Sequence, residues 1–277
     1  MINHIGQIPA AAALKFSNKD ALVFEGQTFS FNQINHLVER AAGGLSDLGI
    51  VPGDTVTLYA GNSWEWIVSY YAIARLCAVI NPVNTMLTPN EIEYVVKDCG
   101  AKAIIASPEK VDAIIRVKNF SDVKEIISFG ADVANGAVSF DALIDANILP
   151  PQPVEIDPAA LSTIGYTSGT TGHPKGAMQS HRAVITNGAM TSQIQMRGAN
   201  DCVVSALPCP HVYANVIMMS MMMFGSKLVL HRAFDVDLAF ADITAHKATI
   251  FDGVPAMYMF MLNSPAIKNA NLSSLTR

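Results

Sequence analysis

An α/β fold, with largely parallel sheets flanked by helices, is what this 277-residue sequence predicts. Three observations predict it. Short apolar runs alternate with longer stretches of helical periodicity along most of the chain, which is the order of βαβ units. Several of the short runs are apolar throughout, as strands buried on both faces are. The composition is 51% hydrophobic, enough for a large core in one big domain or two smaller ones.

Each element has its own signal. Residues 21–24 and 27–30 are β-prone runs around Glu25-Gly26, which predicts a hairpin. Across 31–48, apolar side chains at Ile34, Leu37, Val38, Ala41, Ala42, Leu45 and Leu48 form one helical stripe, and Gly49 stops it. Val51-Pro52-Gly53-Asp54 is turn chemistry before a strand at 55–59. Asn62-Ser63 caps a helix over 64–76, and 78–82 is the next strand. Thr88, Pro89 and Glu91 have capping-box spacing, so 91–99 is a helix with Gly100 as its stop. Strands at 103–106 and 125–129 then flank a helix at 111–117, and a short helix follows at 139–145. The proline-rich segment 149–153 is the best linker candidate, dividing the chain into a first α/β portion, 1–153, and a second, 154–277, with a surface loop inside one domain as the alternative reading. In the second, 161–166 is a strand, Ser180 caps a helix over 182–195, and 203–207 is a strand. A methionine-rich helix over 216–224 ends at Gly225, and 227–230 is a strand. Asp235 caps a helix reaching His246, 248–251 is a strand, and Pro255 opens a helix to about Leu262. No closing element is legible after Leu272.

Composition excludes several classes. The net charge is -5 and Lys and Arg form no run, so nucleic acid is not an expected partner. The N-terminus lacks a basic start before its short apolar patch, and the longest apolar runs are broken by Arg75 or too short to span. No membrane span is expected. Four cysteines without Cys-x-x-Cys spacing and histidines without a paired ligand motif fit a cytoplasmic chain with free thiols and no structural zinc.

The chemistry concentrates at 166–178, Tyr-Thr-Ser-Gly-Thr-Thr-Gly-His-Pro-Lys-Gly-Ala-Met. Glycines bring backbone N–H groups close to a ligand, hydroxyls add short donors, and Lys175 adds a positive charge on a flexible stem. That equipment suits a polyphosphate. A strand before it and a capped helix after it reproduce the order in which phosphate loops are built. The spacing is not Walker A, because His173 and Pro174 separate Gly172 from Lys175 and Gly176 follows the lysine. A Gly/Ser/Thr linker is the bland alternative, opposed by the apolar flanks and the Pro-Lys-Gly ending.

This stretch meets every specified position of the signature Tyr-Thr-Ser-Gly-Thr-Thr-Gly-x-Pro-Lys-Gly, and so resembles the adenylate-forming superfamily of acyl-CoA synthetases, peptide-synthetase adenylation domains and luciferases. The resemblance covers nearly the whole chain. Thr28-Phe29-Ser30-Phe31, Val51-Pro52-Gly53-Asp54, Gly61-Asn62-Ser63 and Asn81-Pro82-Val83-Asn84 with Glu91 are similar to its early blocks, and 208–211 and 252–255 to blocks bordering the acyl pocket. It implies stacked, largely parallel sheets in an N-terminal domain, and a two-step acid–thiol ligation that uses ATP, Mg²⁺ and coenzyme A.

Residue by residue, it implies that Thr167, Ser168, Gly169, Thr170, Thr171, Gly172 and Lys175 hold the phosphates, with Lys175 and His211 the catalytic pair. His211, Val212, Tyr213, Ala214 and Gly253 would border the acid; His173, at the variable position, has no role. The later adenine, ribose and magnesium blocks and the C-terminal lysine domain have no counterpart, so the chain reads as the first part of a longer enzyme, inactive alone and lacking its C-terminal half. A fatty acid is the preferred substrate, on the methionine-rich helix and the small Ala214. An aryl acid is the alternative within the enzyme class, and a non-catalytic nucleotide-binding or interaction module is the alternative outside it. Homodimerisation is left open.

Overall fold

The computed structural model describes residues 2–131, 133, 136–167 and 174–277. Its strands are β1 (Asp20–Phe24), β2 (Gln27–Ser30), β3 (Thr55–Tyr59), β4 (Val79–Pro82), β5 (Ala101–Ala106) and β6 (Glu125–Ser128). They continue with β7 (Val138–Ser139), β8 (Leu161–Thr167), β9 (Lys175–Ser180), β10 (Cys202–Ser205), β11 (Lys227–Leu230) and β12 (Ile250–Asp252). The helices are α1 (Ile8–Phe16), α2 (Phe31–Asp47), α3 (Trp64–Arg75), α4 (Pro89–Asp98) and α5 (Pro108–Ile114). After them come α6 (Phe140–Asp145), α7 (His181–Ile194), α8 (Val212–Phe224), α9 (Val236–His246) and α10 (Pro255–Asn263).

The chain forms two compact units that are discontinuous in sequence. One contains Met1–Ala10, Asn35–Gly61 and Glu65–Thr186; the other contains Ala11–Ile34, Asn62–Trp64 and Asn187–Arg277. Each unit thus holds strands from both sides of the 153/154 boundary expected from the proline-rich segment.

The first unit carries a seven-stranded sheet in the order β7-β6-β5-β3-β4-β8-β9, parallel except for the antiparallel β8–β9 pair. Strand β3 is buried throughout, consistent with its central position. A core of Ile92, Val95, Val96, Ile104, Val111, Ile114 and Ile126 packs α4 and α5 against β5 and β6. Full burial of such side chains contributes roughly 1.5–3 kcal/mol each before chain entropy is counted. The apolar run beginning at Trp66 is α3, buried at every position from Trp66 to Ala74, which makes it a core helix. Among the described residues, no helix is long and apolar enough to cross a membrane.

The second unit carries a five-stranded sheet, β12-β10-β11-β1-β2, again parallel except for its β1–β2 hairpin. Glu25 and Gly26 both have positive φ, 47° and 79°, the backbone a tight two-residue hairpin requires. The expected hairpin therefore forms, and β1 also pairs in parallel with β11, about 200 residues away in sequence (Leu22 with Leu228). The end of the chain is fastened too: Thr276 and Arg277 donate backbone N–H groups to the Thr249 carbonyl, and Phe251 N–H donates to the Arg277 carbonyl at 3.3 Å. These three backbone bonds hold residues 276–277 beside β12, and among the described residues no helix or strand is assigned after residue 269.

Candidate functional site

The strands on either side of the phosphate-loop candidate pair as a hairpin. Strand β8 runs to Thr167, β9 begins at Lys175, and these two residues are direct partners in the antiparallel register. Tyr166 then pairs with Gly176 and Gly165 with Ala177. Thr167 and Lys175 are both exposed at the open end of this pair. Ser168, Gly169, Thr170, Thr171 and Gly172, with His173, lie outside the described residues. The hairpin corrects the strand–loop–helix order expected from sequence. Strand β9 comes between, so α7 starts about 20 Å from Lys175 along an extended strand, and its N-terminus is not built into the loop. Lys-Gly-Ala-Met-Gln-Ser has low strand propensity and no alternation, and it sits at the sheet edge, where pairing with β8 makes it a strand.

Two blocks of the first unit hold this hairpin in place. Asn81 accepts a hydrogen bond from Thr57 Oγ1 at 2.9 Å and donates to the Ile164 carbonyl at 2.8 Å, tying β3, β4 and β8 together. Thr88 and Glu91 form the expected capping box of α4. The last residue of that helix, Asp98, receives the hydroxyl of Tyr166 at 2.5 Å. Burial, then this bond to Asp98, pushes the Tyr166 phenol well above its ordinary pKa. Asp98 is a site-supporting residue that no sequence signal marked, because its partner lies 68 positions away.

The acyl-pocket candidates belong to the second unit. Asn62 is 3% exposed and its amide is fully committed. Its Nδ2 donates to the carbonyls of Leu207 (3.0 Å) and His231 (2.9 Å), and its Oδ1 accepts from Cys209 N–H at 2.7 Å. The Pro208–His211 turn closes with a His211 N–H bond to the Pro208 carbonyl at 2.8 Å. His211 is exposed and caps α8, which starts at Val212, four residues earlier than the methionine-rich pattern predicted. Its Nδ1 accepts from Tyr213 N–H at 3.3 Å, which assigns the ring proton to Nε2 and leaves Nε2–H as a donor. Val212, Tyr213 and Ala214 form the first turn of the same helix. Met218, Met219, Met221 and Met222 are buried and serve as core of the unit.

Gly253 follows Asp252, the last residue of β12, and Asp252 joins a closed circuit of side chains. Nη2 of Arg197 contacts both Asp252 oxygens, at 2.7 and 2.8 Å, and Arg197 Nε donates to Gln195 Oε1 at 2.7 Å. Gln195 Nε2 donates to the Tyr213 hydroxyl at 3.0 Å, which donates in turn to Asp252 Oδ1 at 3.2 Å. Sequence reading singled out Tyr213 and Gly253, placed Asp252 in the 252–255 block without a role of its own, and missed Arg197 and Gln195, because only the fold brings 195–197, 213 and 252 together. Among the described residues, no group of three or more His, Cys, Asp or Glu gathers to hold a metal ion.

Comparison with known proteins agrees with this architecture. The family model described as AMP-binding enzyme matches residues 10–277. The chain is 32% identical over 256 residues to the 4-coumarate–CoA ligase 5 of Oryza sativa subsp. japonica, covering 90% of this chain and 47% of that protein. It is 30% identical over 275 residues to the indoleacetate–CoA ligase of Aromatoleum aromaticum, covering 98% of this chain and 52% of that protein. The chain spans about half the length of these curated relatives. The inhibitor-bound N-terminal domain of FACL13 from Mycobacterium tuberculosis superposes with a TM-score of 0.90 at 28% identity, over 99% of this chain and 68% of that one. An anthranilate CoA ligase, AuaEII, with anthranoyl-AMP bound, gives 0.92 at 23% identity over 98% of this chain and 54% of that one, a likeness of fold.

Proposed function

The chain belongs to the AMP-binding enzyme family, and on that premise we propose that it supplies the phosphate-loop portion of an AMP-forming acid–CoA ligase. A substrate carboxylate oxygen attacks the α-phosphorus of ATP; the O–Pα bond forms as the bond to the β-phosphate oxygen breaks, and pyrophosphate leaves. The thiol of coenzyme A then attacks the acyl carbonyl and AMP departs. The observation that carries the reading is the hairpin closed by Thr167 and Lys175, which returns the lysine to the mouth of the loop signature.

In this reading, Ser168, Gly169, Thr170, Thr171 and Gly172 wrap the β- and γ-phosphates between Thr167 and Lys175. Lys175 offsets the phosphate charge as pyrophosphate forms. The Nε2–H of His211 orients a carboxylate oxygen, and Val212, Tyr213, Ala214 and Gly253 border the acyl group. Little covalent work falls on these residues, since orientation alone can supply about 7–11 kcal/mol of a barrier. The described residues offer no cluster of three or more His, Cys, Asp or Glu that fits Mg²⁺.

The acid is aryl or fatty. The rice and Aromatoleum relatives favour aryl; the fatty reading rests on Ala214 and on the likeness in fold to a long-chain-fatty-acid CoA ligase of Rhodopseudomonas palustris. ATP–pyrophosphate exchange with a panel of both acid types tests the proposal, run on this chain and on the whole gene product. Exchange in the whole product, lowered about a hundredfold by Lys175→Ala, is the expected result. Exchange in neither would overturn it. Nucleotide binding without exchange would favour the non-catalytic module, which the half-length match keeps in view.

A further inference from the structure

The geometry points to Arg197 as a specificity-determining residue that selects an acid bearing a second, uncharged hydrogen-bond acceptor, such as a ketone, ether or hydroxyl, far from its carboxylate. The inference rests on the proposed acyl-pocket role of Tyr213 and Gly253. Arg197 is 5% exposed, and its Nη1 is buried with no hydrogen-bond partner among the described residues. Its other nitrogens are engaged: Nε donates to Gln195, and Nη2 donates to Asp252 Oδ1 and lies 2.7 Å from Oδ2, which, like Nη1, has no hydrogen-bond partner among the described residues. A buried guanidinium N–H left unpaired is costly, so an occupant that accepts from it is favoured over one that cannot.

Two features define the occupant. Asp252 directly precedes Gly253 and holds the Tyr213 hydroxyl, so Arg197 lies one side chain behind both candidate acyl-pocket residues. Tyr213 has only one hydroxyl proton and donates it to Asp252, while it accepts from Gln195; it can offer a substrate its ring but no donor. Arg197 Nη1 is therefore the donor this cluster has left to offer. A second carboxylate is disfavoured, because Asp252 already neutralises the guanidinium and would repel another anion beside it. What fits is a neutral acceptor on an otherwise apolar body.

The test uses shape-matched pairs: 3-(4-acetylphenyl)propanoate against 3-(4-isopropylphenyl)propanoate, and an oxo fatty acid against its methylene analogue. Binding to the whole gene product is measured by calorimetry without ATP, beside pyrophosphate exchange. The keto member of at least one pair is expected to bind about tenfold tighter or more. That advantage, read as the ratio of affinities within each pair, is expected to vanish in Arg197→Met, whatever the change in absolute affinity that follows from leaving Asp252 without its cation. Should Arg197→Met fail to fold, Arg197→Lys keeps a cation against Asp252 but removes the Nη1 fork, and it should also abolish the preference. Equal affinity within both pairs for the unsubstituted protein, or a preference that survives both substitutions, would overturn the inference. Keto-selective binding with no exchange would overturn the ligase reading and leave the Arg197 assignment standing.

Discussion

Asn62 shows how one buried side chain organises a segment that carries function. Three hydrogen bonds to its amide bind the carbonyl of Leu207 just past β10, the loop N–H of Cys209 and the carbonyl of His231. Asn62→Ala leaves these groups buried and unpaired, and we expect a loss of about 3 kcal/mol in urea unfolding; a loss below about 0.5 kcal/mol would mean that water replaces the amide. A second residue-scale device is the histidine pair near the N-terminus. His4 and His181 meet edge to face with ring centroids 5.8 Å apart, and His181 Nδ1 accepts from Ile5 N–H at 3.2 Å. Burial, then the neighbouring His4, pushes His181 down to about 4, while burial and Arg75 lower His4. Both folded-state values lie below the ordinary 6.5, so the fold prefers the neutral rings. Their contribution is fully present above about pH 6.5 and is lost as pH falls toward 4. Unfolding midpoints measured across that window should decline, and His181→Asn, which keeps an acceptor for Ile5 but carries no titrating ring, should flatten the decline.

At the scale of elements, α2 separates intrinsic propensity from packing. Gly43 lies inside this helix, where propensity alone says that alanine would stabilise by about 1 kcal/mol. A methyl group there would lie 1.8 Å from the Ile148 carbonyl oxygen and 2.5 Å from its carbon. Those are backbone atoms of the strap that runs into the proline-rich segment, and no rotamer change relieves the overlap. Gly43→Ala is therefore expected to destabilise the chain by about 2 kcal/mol or more, read as a fall in Tm. A rise in Tm would show that the strap moves aside. The same reasoning explains β9: a segment with poor local strand chemistry becomes a strand because its partner β8 is already fixed by Asn81 and Tyr166.

For the whole molecule, the informative surface is α10, where Met261 is buried while Tyr258, Met259, Phe260 and Leu262 are 41 to 70% exposed. Large apolar side chains grouped this way favour association and dye binding. At micromolar concentration the isolated chain should bind a hydrophobic dye and scatter light increasingly with concentration. Replacing Met259 with Lys and Phe260 with Glu together should reduce both signals severalfold without changing the far-UV circular dichroism spectrum. Unchanged signals would assign them to another surface.

Local chemistry in the chain determined most of the elements: the Ile34-to-Leu45 stripe of α2, the Thr88–Glu91 box of α4, the Asp235 cap of α9 and the Glu25-Gly26 turn each rest on residues within a few positions of one another. The same is true of the family signature, a contiguous motif. Helix α1 escaped notice because its Ala-rich stretch lacks a clear amphipathic stripe. Tertiary structure alone decided that β1 pairs with β11, that β9 intervenes between the loop and α7, that Asp98 receives Tyr166, and that Arg197 meets Asp252. The physical reason is common to all four. Periodicity and capping arise from neighbours in sequence, whereas pairing and buried ion contacts are selected by burial and register across tens to hundreds of residues, which no local window records.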